Sequence, residues 1–198
     1  QHAARLTLER LYASPSLSGT SPRAVTFSPD ARRVTFLKPR ADDLSRFDLW
    51  QFDVATGAAS MLVDSTLVDP ADTELAEEEK VLRERKRIAG TRGIADYSWG
   101  TADTLLVPAG GDLHLVTLTP GGAVSRRLTE TDAFEYDAKI SPGGKYVSFI
   151  RDGALYAIDI ATGRQHRISP EAEPDKAISY GVAEFVAQEE MHRFTGYW

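Results

Sequence analysis

The chain has 198 residues, 42% apolar and 26% charged, with a net charge of −6, the proportions of a globular protein rather than a disordered one. This acidic balance argues against nucleic acid as the main partner, because phosphate recognition wants a basic surface. No run of about 18 apolar residues offers a membrane span, and the absence of cysteine removes disulfides and thiolate metal sites.

The opening, Gln1-His2-Ala3-Ala4-Arg5, shows no apolar signal-peptide core, which suits a cytosolic chain and a processed one equally. Ala24–Leu37, AVTFSPDARRVTFL, reads as two alternating strands about a Ser-Pro-Asp turn. Asp48–Val63, DLWQFDVATGAASMLV, reads as a second hairpin, closed by Ala55-Thr56-Gly57, where glycine supplies the positive φ of a tight turn. Next comes Asp69–Ala89, DPADTELAEEEKVLRERKRIA. Pro70 leads, acidic residues follow and basic ones close, the order that favours a helix over about 70–89. At 100° per residue Lys80, Arg83 and Arg87 share one face, and Arg85 projects from another side.

Tyr97–Val107, YSWGTADTLLV, repeats the first hairpin in degenerate form, and Asp112–Leu128 supplies its second with the turn Pro120-Gly121-Gly122. Ala138–Ile150, AKISPGGKYVSFI, and Ala154–Ile168, ALYAIDIATGRQHRI, repeat both hairpins again. Trp99 and Ile140 stand 41 residues apart, a period that with four strands per repeat marks a β-propeller blade. Phe27 and Trp99 stand 72 apart, and the excess coincides with the charged helix. The expected fold is therefore all-β: an incomplete propeller with one inserted helix. Its blade-like units cover about 20–66, 94–130 and 134–170, and a fourth begins at 178–198. Three blades and a start cannot close a ring, so the chain is expected to be part of a longer protein.

No G-x-S-x-G elbow, P-loop, G-x-G-x-x-G or H-E-x-x-H pattern is present, so no catalytic nucleophile, cofactor or metal site is expected here. His2, His114, His166 and His192 lack ligand spacing and are expected as surface or turn residues. Glu189 and Glu190 read either as a charged loop or helix start or as a site, because two adjacent carboxylates on a turn or short helix can hold an ammonium group by charge-assisted hydrogen bonds.

GVAEFVAQEEMHRFTGYW and RERKRIAG…RGIADYSW closely resemble the double-glutamate segment and the arginine-bearing helix of bacterial dipeptidyl peptidase IV enzymes of the prolyl oligopeptidase family. The resemblance implies an eight-bladed propeller followed by an α/β-hydrolase domain that is absent from this chain. It implies release of Xaa-Pro or Xaa-Ala dipeptides from free peptide N-termini, with Glu189 and Glu190 holding the substrate α-amino group. It also implies an arginine that orients the substrate carbonyl, here Arg87 with Arg83 in reserve and Arg85 dispensable. A homodimer in the periplasm, or a secreted one, goes with the family. The competing reading is a non-catalytic propeller serving as a binding scaffold, since the fold hosts many functions.

Overall fold

The computed structural model describes residues 6–13 and 16–198, and Gln1–Arg5 with His2 lies outside them. A short exposed helix, α1 (Leu8–Tyr12), is capped by Thr7, whose hydroxyl accepts from the Arg10 amide. Three antiparallel four-stranded meanders follow. The first is β1 (Arg23–Phe27), β2 (Arg33–Pro39), β3 (Arg46–Asp53) and β4 (Ala59–Val63). A two-residue strand, β5 (Arg92–Gly93), adds to it in parallel against Arg46 and Phe47 of β3. The second is β6 (Ser98–Thr101), β7 (Thr104–Ala109), β8 (Asp112–Thr119) and β9 (Gly122–Arg127); the third is β10 (Tyr136–Ile140), β11 (Tyr146–Arg151), β12 (Ala154–Asp159) and β13 (Gln165–Arg167). The result is an incomplete all-β propeller.

The repeated turns have a repeated cause. Asp53 accepts from the Thr56 amide and hydroxyl at 2.7 and 2.8 Å, and Asp159 treats Thr162 the same way at 2.8 and 2.9 Å. The glycine that follows each threonine, Gly57 or Gly163, takes φ +71°, a conformation costly to a side chain with Cβ.

The middle sheet is buried on both faces, and this joins the blades. Along β7, Leu105 and Val107 pack toward the first sheet with Leu37, Leu49 and Val63. Leu106, between them, packs toward the third with Phe149 and Ile158, as strand alternation requires. Polar groups cross the first joint: buried Thr35 accepts from Tyr97 Oη at 3.0 Å and from Trp99 Nε1 at 3.1 Å. Burying such donors is tolerated because each has an acceptor.

Three expectations change. The inserted helix, α2, spans Glu77–Arg85 rather than 70–89, because the Asp69 carboxylate captures the Thr73 amide and hydroxyl and Asp72 sits at φ +55°. Residues 178–198 contain no strand; they carry a helix, α3 (Phe185–Glu189). His114 is buried in β8, with Nδ1 3.2 Å from Ser125 Oγ, and burial lowers its pKa below the usual imidazole range.

Candidate functional site

The site forms where the last turn of α2 meets the loop that carries α3. Helix α2 follows its macrodipole, with Glu77–Glu79 in the first turn and Arg83 and Arg85 in the last. Its inner face is an ion pair. Arg83 Nη2 lies 2.6 Å from Glu79 Oε1, four residues back, and Arg83 Nη1 donates to the Thr91 carbonyl. Both side chains are buried, so Arg83 is committed to holding the helix down. Lys80 pairs outward with Glu77 at 2.7 Å. The helix stops through crossed bonds, Arg87 N to Glu84 O and Ile88 N to Arg83 O, the Schellman arrangement. Arg87 occupies its left-handed position at φ +60°. Arg87 is exposed, and among the described residues no group pairs with its side chain. Lys80, Arg83 and Arg87 therefore do not form the shared basic face expected from the sequence.

Arg85 is the helix arginine that reaches the double-glutamate segment. Its Nη1 donates to Gln188 Oε1 at 2.9 Å, its Nε lies 3.4 Å from Glu189 Oε1, and its guanidinium carbon stands 5.2 Å from the Phe185 ring centroid. These three partners lie at i, i+3 and i+4 on α3, one face of a helix. Lys86 joins the same contact, 3.4 Å from Asp96 and 5.5 Å from the Phe194 ring centroid.

The loop has its own framework. Glu184 caps α3, its carboxylate accepting from the Val186 and Ala187 amides at 2.8 Å each. Glu189 is the last helical residue and Glu190 the cap, so the pair stands on a helix end rather than on opposite faces of a strand. Glu190 is exposed. The loop closes where Gly196 packs on the backbone of Gly181 and Val182. Lys139 of β10 fastens the exit, donating to Thr195 Oγ1 at 2.5 Å and to the Tyr197 carbonyl at 2.9 Å. Tyr197 donates to the Asp137 carbonyl at 2.6 Å, and burial pushes its phenol up to about 12.

Beside Arg85 lies an open cleft of about 850 Å³, walled by Leu82, Tyr136, Asp152, Val182 and Gln188 among others. Phe134 and Tyr136 stack in it with centroids 5.3 Å apart. The charges of Glu189, Glu190 and Arg85 sum to one negative, which suits a single ammonium group with a neighbouring carbonyl. Among the described residues no cluster of His, Cys, Asp or Glu is arranged to hold a metal ion.

Residues 109–198, which include the whole of this loop, match the family model for the dipeptidyl peptidase IV (DPP IV) N-terminal region. Over these residues the chain is similar to the DPP IV N-terminal region. Dipeptidyl peptidase 8 of Homo sapiens is 36% identical over 138 residues, an alignment covering 62% of this chain and 15% of that protein. Dipeptidyl peptidase 8 of Mus musculus is 34% identical over 140 residues with the same coverage. The chain thus spans about 15% of the length of these curated relatives. Helix α2 precedes the segment that this model matches, so its arginines rest on geometry. No periodicity in the sequence announces Gln188 or Phe185; the contact with Arg85 is what singles them out.

Proposed function

We propose that this DPP IV-like region anchors the substrate of a serine exopeptidase that releases Xaa-Pro or Xaa-Ala dipeptides from free peptide N-termini. Glu189 and Glu190 hold the substrate α-ammonium, and Arg85, in place of Arg87, orients the carbonyl of the first residue. The observation carrying this reading is the single cluster of Glu189, Glu190 and Arg85 at the end of α3. A guanidinium suits the second task because its planar fork is always charged and fixes direction as well as distance. The carboxylates are unequal: Glu189 is shared with Arg85, whereas exposed Glu190 is free to meet the ammonium first. The nucleophile, base and oxyanion hole belong to a hydrolase domain elsewhere in the whole peptidase, which works as a homodimer in the periplasm or outside the cell.

The test is kinetics of Glu189→Gln and Glu190→Gln in the whole peptidase. Each substitution keeps the size and removes a charge, at a cost of about 2–4 kcal/mol or roughly 30- to 1000-fold in kcat/KM. An amino-blocked Xaa-Pro amide is a poor substrate for the parent and is little affected by either change. Values for both variants within threefold of the parent refute the anchoring role.

A further inference from the structure

Gln188 is the most deeply buried polar side chain of the double-glutamate loop, 8% exposed, and both ends of its amide are engaged. Nε2 donates to the Ala183 carbonyl at 2.6 Å and Oε1 accepts from Arg85 Nη1 at 2.9 Å. A carbonyl only accepts and a guanidinium only donates, so the amide has one satisfying orientation. Ala183 sits at the start of the loop, one residue before the helix cap Glu184. Gln188 therefore ties the base of α3 to the end of α2 through one rigid group. The other two contacts of Arg85 are looser: Glu189 at 3.4 Å, and an aromatic ring, Phe185, that is itself largely exposed.

We infer that Gln188 is a positioning residue for substrate recognition, acting through Arg85: its amide fixes the guanidinium beside Glu189, so ammonium and carbonyl are read in register. Being neutral, it accepts from Arg85 without adding a third negative charge to the anchor. The inference rests on the anchoring role of Glu189, Glu190 and Arg85.

The test is a double-mutant cycle in the whole peptidase, with steady-state kinetics on a chromogenic Xaa-Pro amide bearing a free amino terminus. Gln188→Met keeps most of the volume and removes both hydrogen bonds. It is expected to lower kcat/KM at least tenfold alone, and less than threefold in the Arg85→Met background. A merely structural role gives the same loss in both backgrounds, and that result overturns the inference. If Gln188→Met does not fold, as judged by circular dichroism, Gln188→Asn replaces it; one methylene shorter, it cannot span both partners, and the same coupling is expected. A silent Gln188 variant alongside damaged Glu189→Gln and Glu190→Gln removes this inference and leaves the anchor standing. Silent glutamate variants remove both.

Discussion

Arg85 ends α2 within its hydrogen-bonded spiral, while Arg87, two residues on, lies past the stop at φ +60°. That difference in backbone sends one guanidinium to Gln188 and Glu189 and leaves the other exposed. Replacing Arg85 with Met in the whole peptidase is expected to lower kcat/KM at least tenfold, which is about 1.4 kcal/mol. Arg87→Met is expected to change it by less than threefold. Kinetics of the two variants on one Xaa-Pro amide decide the matter, and the reverse ranking sinks the assignment to Arg85. The glutamates were legible as candidates because two adjacent carboxylates after an apolar stretch are chemically conspicuous. The contact of Arg85 with Gln188 and Glu189 was not legible, because composition marks a helix without marking its ends. Asp69 and Thr73 delay the start, and the stop comes at Lys86–Ile88 through backbone bonds. With the start seven residues out and the end four, the side chain that faces the site changes.

Among the elements, the strands were the readable part, since alternation and the Asp-x-x-Thr-Gly turns each have a mechanism visible in one dimension. Residues 178–198 were not. A five-residue helix is too short to show a period and owes its existence to a cap and to packing rather than to propensity. Nor does any local pattern announce β5, a two-residue parallel addition fixed by the return of the chain from α2. The loop that carries α3 depends on Gly196 more than on any side chain. A Cβ there would fall 2.5 Å from the Val182 carbonyl carbon and closer still to Gly181. The three nearest atoms are all backbone, so no flexible group can give way. Gly196→Ala is therefore expected to reopen the closure, release α3 and lower kcat/KM as severely as the loss of a glutamate. The sheets should keep their strand signal in far-ultraviolet circular dichroism. Parent-like kinetics in this variant contradict the account of the closure.

At the scale of the molecule, each sheet leans on the next, and among the described residues only the middle one has a sheet on both faces. The first sheet turns an apolar face outward: Phe27, Val34, Phe52 and Ala59 form one cross-strand row, and Phe36, Trp50 and Met61 the next. Phe27 is 64% exposed, Met61 47% and Phe52 40%, well beyond scattered surface apolars. Residues 1–198 produced alone are expected to self-associate through this face, and Phe27→Lys combined with Met61→Lys to shift the population toward monomer. Sedimentation velocity on the two proteins provides the test; a parent chain that stays monomeric at every concentration examined refutes it.

The contact of Gly196 with Gly181 has one more consequence. The chain leaves the third blade at Gly181 and comes back onto it at Gly196, with Lys139 of β10 holding Thr195 and Tyr197 beside that contact, so little of the sheet registers what lies between. Lengthening such an excursion is cheap, about 0.6 kcal/mol of closure entropy for each doubling. Residues 182–195 thus behave as an interchangeable cassette. A relative can alter the reach, charge or helix content of this insert without disturbing a strand of its host. An insert transplanted whole would need only Gly181, Gly196 and the Lys139 bond to the Tyr197 carbonyl kept in place.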